Sequence, residues 1–509
     1  MRHDETAPTD FSTDQATALA RLEAVLRDAG IDLGGGALAS EGAPQKAMAV
    51  LGRAGSGKTM LLAHLVKALV AAGVEPVSGD WEGRKGRSRR TVAVLAPTNK
   101  AASVLRGRGV PATTIHRVLY TPLYHPDYEA IAEWLTGKGM RPKVEGMTEA
   151  ALDRAEASYR VHGSIPGALA AAGLRGSDFI KGWKRRDEPL DIGLIDEASM
   201  LDARQFEDLS ALCRTLILFG DPAQLAPVGG GGTMVFDGLP EERRLALGRV
   251  HRQAQGNPIV DLAHALADPE LDFRAFEDMV RAVAARDPRV VIAPRVDAGA
   301  MARAPALVWR NATRVRLIEA FRRAHGAPPD ALLPGEPLVC DGIELPLKHR
   351  RKRIDLEARG LIKGAQAIYL APGRQPGFAR LYLPGAEEPQ IGVASIIQIE
   401  SPGAEEPTLA AAASMGAVFL HGAAVTIHKA QGSQWPDVQV FAPDLWAAAQ
   451  SGRSEAGVAL WKRLAYVAIT RAEHRLFWVT RYALARPTAP LGVDDLPRRT
   501  GPALAPAAG

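Results

Sequence analysis

Ala47-Met48-Ala49-Val50-Leu51 runs into Gly52-Arg53-Ala54-Gly55-Ser56-Gly57-Lys58-Thr59, and Leu61, Leu62, Leu65, Val66, Leu69 and Val70 then recur at helical spacing. The apolar run is long enough for a buried strand, and the recurrence predicts an amphipathic helix. Strand, glycine-rich turn and helix form the context that makes G-x-x-x-x-G-K-T a phosphate-binding loop rather than an ordinary turn. The glycines let successive N–H groups curl around a phosphate chain, and the helix start adds partial positive charge. Gly52, Ala54, Gly55, Ser56 and Gly57 are then the cradle; Lys58 reaches the β- and γ-phosphates, and the Thr59 hydroxyl holds Mg²⁺. The ligand expected here is a nucleoside triphosphate with Mg²⁺.

A chain of 509 residues is too long for one core, and about two to four domains are expected. Hydrophobic residues at 47% and charged residues at 23% are ordinary for a folded soluble protein. Cys213 and Cys340 lie far apart, with no C-x-x-C and no histidine cluster, which argues against a zinc module or a disulfide framework and suits a reducing, cytoplasmic setting. Met1 to Thr6 is polar, so no signal peptide is expected, and no run approaches the roughly 18 apolar residues of a membrane span. The net charge of +5 says little about partners. Basic clusters at 84–90, 181–186 and 348–353 each read alone as solvated loops; together, in a nucleotide-hydrolysing chain, they favour contact with a phosphate backbone.

Strands alternate with helices, which predicts α/β architecture with parallel sheets. Strands are expected at Thr91 to Ala96, Leu190 to Ile195, Thr215 to Phe219, Ala306 to Trp309 and Val438 to Phe441; helices are expected from Asn99, from Thr313 to His325 and from Leu460 to Thr470. Residues 120–188 are polar and mixed. Residues 346–417 carry short alternating segments and look like a small β-rich insertion. After about Ala485 the chain is rich in Pro, Ala and Gly, and disorder is expected.

Leu194-Ile195-Asp196-Glu197-Ala198-Ser199 brings two acids to the carboxyl end of a strand, where α/β proteins bind ligands. Asp196 is the candidate second Mg²⁺ ligand and Glu197 the candidate general base for the lytic water. Gly220-Asp221-Pro222-Ala223-Gln224-Leu225 ends another strand in a turn that presents Gln224, whose amide suits a γ-phosphate or the attacking water.

These segments, with Ala96-Pro97-Thr98-Asn99-Lys100-Ala101-Ala102 between the first and second, stand in the order of a superfamily 1 helicase. Downstream, Val250-His251-Arg252-Gln253 resembles the motif that gives an arginine to the γ-phosphate. Val425-Thr426-Ile427-His428-Lys429-Ala430-Gln431-Gly432-Ser433 resembles the motif that couples DNA to ATP, and Val467-Ala468-Ile469-Thr470-Arg471-Ala472 the last motif, with a second arginine. Phe11-Ser12-Thr13-Asp14-Gln15 is similar to the glutamine motif that reads adenine. The acids, Thr114-Ile115-His116 and His428 to Gly432 look most like the RecD/Dda branch, which moves 5′→3′ on single-stranded DNA. The resemblance spans about residues 10 to 482.

It implies two RecA-like parallel-sheet domains in tandem, each with an insertion. The first domain is expected over 10–119 and 189–247, with a pin-type insertion at 120–188. The second is expected over 248–345 and 418–484, with an SH3-like insertion at 346–417, ahead of a disordered tail at 485–509. The implied catalytic residues are Lys58, Glu197, Gln224, Arg252 and Arg471. Gln15 and His251 join the nucleotide site, and Thr98, Asn99, His116, Thr426, His428 and Lys429 grip DNA. Asn99 stands where many relatives have glycine, and its amide can still meet a phosphate. Trp309 reads better as a core residue than as a DNA contact. With no nuclease cluster in view, the expected activity is ATP-dependent 5′→3′ unwinding of DNA by a monomer acting on single strands and junctions, alongside single-strand-binding or replication and recombination proteins. A protein-displacing translocase, the motor subunit of a nuclease complex and an RNA helicase are the alternatives.

Overall fold

The computed structural model describes residues 11–33, 37–38, 46–77, 90–124, 126–144, 147–162, 168, 180–186, 189–227, 232–248, 256–344, 356–357, 359–386, 388–413, 416–494 and 496. The basic clusters at 84–89 and 348–353 lie outside these residues. The chain divides into two compact units, Met1–Leu119 with Arg185–Val290 and Trp446–Thr470, and Tyr120–Lys184 with Val291–Leu445 and Arg471–Gly509. Trp446–Thr470 thus falls with the phosphate loop, whereas the sequence reading carries 418–484 in one piece.

The first unit is built on a seven-stranded sheet. Its order is Arg244–Leu247, Lys46–Gly52, Cys213–Gly220, Leu190–Ile195 and Thr91–Ala96, with Glu75–Pro76 and Ala112–Thr114 both paired to the outer edge of Thr91–Ala96. The pairings are parallel. Parallel strands are covered on both faces and read as unbroken apolar runs; every residue of Thr91–Ala96 is buried. Gly220 lies opposite Leu51, Ile195 opposite both Leu218 and Leu95, and Leu247 opposite Gly52. That register brings the carboxyl ends of the strands to one edge. The helix Lys58–Ala71 turns Leu61, Leu62, Leu65, Val66 and Leu69 into the core beside Leu22 and Leu26 of the helix Thr13–Asp28.

The second unit holds a five-stranded sheet ordered Val290–Ala293, Ala472–Val479, Trp435–Phe441, Ala306–Val308 and Ala424–Thr426, its last four strands parallel. A second sheet runs Phe378–Tyr382, Gln366–Pro372, Pro337–Glu344, Gly416–His421, Gln390–Ile399 and Thr408–Ala412, and Phe378–Tyr382 also pairs with Gln390–Ile399. Five strands therefore close into a ring, which removes the exposed edges of a short sheet. Leu338, Ala367, Leu381, Val393 and Phe419 fill its core. The ring extends from Pro337 to His421, wider than the 346–417 read from composition, because its first strand and the end of its last lie outside that stretch and join it only through long-range pairing. Further pieces are the ribbon of Tyr120–Tyr124 with Ile180–Arg185 and the helices Pro126–Leu135 and Glu149–His162, which bury Ile131, Leu135, Ala151 and Ala155 together. Leu484–Ala485 pairs with Val296–Asp297, and Leu491 packs on the cluster around Val296 and Phe321, so ordered chain runs past Ala485. No helix among the described residues is long and apolar enough to cross a membrane.

Where the closed ring leaves the helix Asn311–Ala324, a buried charged group joins them. Glu336 Oε2 accepts from Arg322 Nε at 3.0 Å and from His421 Nε2 at 2.8 Å, and Oε1 accepts from Leu333 N at 2.7 Å. Burial alone pushes the Glu336 carboxyl up, but the bonds from His421 and Leu333 and the charge of Arg322 hold it below its ordinary value. Breaking such a set strands a buried cation, which costs about 3–5 kcal/mol. Glu336→Ala is expected to lower the unfolding free energy by that amount, read as a shift of the urea midpoint of the full chain to lower concentration. Glu336→Gln, which keeps an acceptor, is expected to move it less, and ADP affinity in the first unit should stay unchanged for both.

Candidate nucleotide site

Three glycines of the phosphate loop are required by geometry. Gly55 and Gly57 have φ of +82° and +78°, which L side chains rarely adopt. A Cβ on Gly52 would lie 2.3 Å from Ser56 Oγ. Gly57 caps the helix Lys58–Ala71, so the loop ends on free N–H groups at a helix start. Lys58 Nζ donates to the carbonyls of Gly52 and Arg53 and lies 4.0 Å from Asp221 Oδ2. The Ser56 hydroxyl is buried and has no hydrogen-bond partner, an unmet polar group of the kind that an incoming ligand satisfies.

The acids sit at the same strand edge. Asp196 follows the strand Leu190–Ile195 and is held by its N–H to Leu95 O at 2.9 Å. Its Oδ1 accepts from Glu197 N at 3.0 Å. Burial and the adjacent Glu197 push the Asp196 carboxyl up to about 7, against the pull of Lys58 and Arg108. Glu197 itself has φ of +53°, a backbone state that a non-glycine residue occupies at a cost, as happens at functional sites. Gln224 Nε2 donates to Glu197 Oε2 at 3.0 Å. The structure thus brings Lys58, Asp196, Glu197, Asp221 and Gln224 onto one edge of one sheet.

Among the described residues no group of three or more His, Cys, Asp or Glu could hold a metal. The donors on offer, the Thr59 hydroxyl and the Asp196 carboxylate, suit a cation that takes its remaining ligands from phosphate and water, as Mg²⁺ does. A dication would also offset the acid pair that burial disfavours.

The other expected residues are placed as follows. Gln15 is fully buried; its Nε2 donates to Ser56 O at 3.0 Å and its Oε1 accepts from Ser12 N at 3.0 Å, so its amide braces the phosphate loop. His251 and Arg252 lie outside the described residues. Thr98 caps the helix Asn99–Gly107 by accepting from Ala101 N, Asn99 opens that helix, and His116 is exposed on the short helix Ile115–Leu119. Thr98 and His116 both follow strands that end on the nucleotide edge.

In the second unit, Thr426 ends its strand and caps the short helix Ile427–Ala430, which carries His428 and an exposed Lys429. Arg471 is buried there, with Nη1 donating to Ser433 O at 3.1 Å. It therefore ties the start of its own strand to the segment 425–433. The Trp309 and Arg310 N–H groups donate to buried Asp444, which also holds the Arg310 guanidinium.

Sequence reasoning missed the contribution of the helix Leu460–Ile469. Its Arg463 Nη1 donates to the carbonyls of Pro222, at 3.0 Å, and Gln224, and its Tyr466 hydroxyl donates to Asp221 Oδ2 at 2.6 Å. All ten residues of that helix are buried, so Tyr466 reads in the sequence as one more core aromatic.

Two family models match the chain. Residues 37–286 match an AAA domain and residues 421–479 a UvrD-like helicase C-terminal domain. Among solved structures, a Pif1 helicase from Candida albicans is 15% identical, with a TM-score of 0.45 and coverage of 93% of this chain and 95% of that one. Bacteroides Pif1 bound to ssDNA is 13% identical, with a TM-score of 0.45 and the same coverages. Pif1 from Bacteroides in complex with ADP-AlF3 and ssDNA is 14% identical, with a TM-score of 0.43 and coverage of 94% and 95%. No curated protein matches.

Burial beside Glu197 disfavours the charged form of Asp196. Asp196→Asn is therefore expected to raise the melting temperature of the nucleotide- and Mg²⁺-free protein by a few degrees while removing ATP turnover. Differential scanning calorimetry and a coupled ATPase assay check the two halves.

Proposed function

We propose, from the premise that this chain is an ATP-hydrolysing P-loop NTPase of the superfamily 1 helicases, that it translocates 5′→3′ along single-stranded DNA and unwinds the duplex ahead. The observation that carries the hydrolytic half is the Gln224–Glu197 hydrogen bond of 3.0 Å on the strand edge that also holds Lys58. It pairs a neutral amide with a carboxylate suited to take a proton from water. Lys58 supplies positive charge to the β- and γ-phosphates. Thr59 and Asp196 are the residues that would hold Mg²⁺, which when bound neutralises charge developing on the γ-phosphate. Arg252 and Arg471 are the arginines assigned to that same charge. For Arg471 the assignment requires release of its guanidinium from Ser433 O.

The DNA half rests on sequence motifs. Thr98, Asn99, His116, Thr426, His428 and Lys429 are proposed as contacts to phosphates and sugars, which position a strand without reading its sequence. An exposed Lys429 and helix-start residues Thr98 and Asn99 suit that task. His251 is proposed at the adenine, and Gln15 either there or, as its bonds favour, behind the phosphate loop. The RecA-like domains are proposed over 10–119 with 189–247 and over 248–345 with 418–484, the insertions over 120–188 and 346–417, and a tail over 485–509. The second insertion is proposed as SH3-like, in keeping with its closed five-stranded ring. A monomer acting at single-strand/duplex junctions, with single-strand-binding or replication and recombination proteins as partners, completes the reading.

The test is ATPase with and without single-stranded DNA or RNA, followed by unwinding of duplexes bearing one 5′ or one 3′ tail. ATPase that DNA does not stimulate would sink the reading, and preference for a 3′ tail would reverse the polarity. Lys58→Ala should abolish turnover. Glu197→Gln should abolish it too while ATP still binds. Arg252→Ala should lower kcat by on the order of 10³-fold, as loss of an arginine finger does.

A further inference from the structure

The helix Leu460–Ile469 reaches both halves of the hydrolytic site with two side chains one turn apart. Arg463 and Tyr466 are three residues apart and so share a face. The Tyr466 oxygen accepts from Ala54 N at 2.8 Å, inside the phosphate loop, and its hydroxyl donates to Asp221 Oδ2 at 2.6 Å. Asp221 Oδ1 meanwhile accepts from Ala223 N at 2.9 Å, which folds the turn that leads to Gln224. Arg463 donates to the carbonyls of Pro222 and Gln224, on either side of Ala223. The other end of the Ala54 residue is held as well, because His264 Nε2 lies 3.1 Å from Ala54 O and Arg53 Nη1 donates to His264 O at 3.0 Å.

We propose that Tyr466 is a positioning residue for ATP hydrolysis: its hydroxyl ties the phosphate loop at Ala54 to the 221–224 loop at Asp221, so that Gln224 keeps its registration on the bound γ-phosphate. The proposal rests on the reading of Lys58, Glu197 and Gln224 as the hydrolytic site. Burial, and Asp221 beside it, raise the Tyr466 pKa, so the phenol stays protonated and the order of donation is fixed from Ala54 N–H to the phenol oxygen and from the phenol O–H to the carboxylate. Phosphoryl transfer draws on placement more than on covalent chemistry, and a displacement of about 1 Å can cost up to about 10²-fold in rate. Phenylalanine keeps the volume of the ring and removes only the tie. The N–H groups of Gly57, Lys58 and Thr59 and the Lys58 amine, which grip the phosphates, are left in place.

Tyr466→Phe in the full-length chain is therefore expected to lower kcat for ATP about tenfold and to leave KM for ATP within threefold. Stoichiometric binding of a fluorescent ADP counts intact sites, so that kcat is expressed per folded molecule. The decisive arm is a double-mutant cycle. If Tyr466 acts by placing the Gln224 loop, the tenfold loss shrinks to less than twofold when Tyr466→Phe is introduced into Gln224→Ala. An unchanged kcat in the single variant overturns the proposal, as does a tenfold loss that persists in the Gln224→Ala background. Should Tyr466→Phe fail to bind ADP stoichiometrically, Arg463→Lys carries the same cycle with the same expected and overturning results. The wild-type chain separates this failure from that of the wider reading: no ATP hydrolysis by it, or a wild-type kcat in Gln224→Ala, overturns the assigned hydrolytic site itself.

Discussion

The parallel register of the first sheet is the constraint on which the nucleotide site depends. Phe219 lies beside Val50 and Ile195 beside Leu218, so the residues that follow three strands, Arg53, Asp196 and Asp221, emerge on one edge. The strands are mostly buried, which leaves little freedom to slip along one another without losing that packing. The loops past the edge can then be polar and strained, because the core beneath them is what fixes their origin. Glu197 at φ of +53° and the glycines at positions 55 and 57 are held in that way.

The charges at the edge are arranged for a ligand rather than for mutual satisfaction. Lys58 spends its amine on two loop carbonyls and stands 4.0 Å from Asp221, beyond a direct hydrogen bond. Asp196 is buried beside Glu197, and burial and that neighbour push its carboxyl up against the pull of Lys58 and Arg108. Contrast the second unit, where both oxygens of Glu336 are bonded, Oε2 to Arg322 and His421 and Oε1 to Leu333. Both sets are buried and charged. Only one is left with work for a phosphate and a dication to do, and that difference separates a site from a structural pin.

Legibility in the sequence followed the range of the interaction. Lys46–Gly52, Thr91–Ala96, Leu190–Ile195 and Cys213–Gly220 were readable because a buried parallel strand is a local apolar run. The acids and Gln224 were readable because each directly follows such a run. The ring from Pro337 to His421 was visible only in its middle, since closure depends on Phe378–Tyr382 pairing with Gln390–Ile399 and Pro337–Glu344 with Gly416–His421, contacts that no local pattern encodes. Gln15 shows the same limit from another side. Its motif marks it as polar and important, yet whether its amide faces a base or braces Ser56 is decided by a partner 41 residues away. Tyr466 was the least legible, because an aromatic in a wholly buried helix is normally packing, and nothing beside it in sequence announces Ala54 or Asp221.

That last case bears on how the first unit is held closed. The segment Trp446–Thr470 returns to it from far along the chain, and beside its buried apolar residues it makes polar bonds to main-chain groups: Arg463 on the carbonyls of Pro222, Gln224 and Glu455, Lys462 on those of Asp268 and Pro269, Tyr466 on the N–H of Ala54. An apolar contact tolerates sliding, whereas hydrogen bonds fix both distance and direction. The segment is short, begins and ends at the boundary with the other unit, and grips the loops that carry Lys58 and Gln224. The loops at Ala54 and Gln224 are thus placed by side chains 412 and 239 residues further along the chain as well as by the strands they follow.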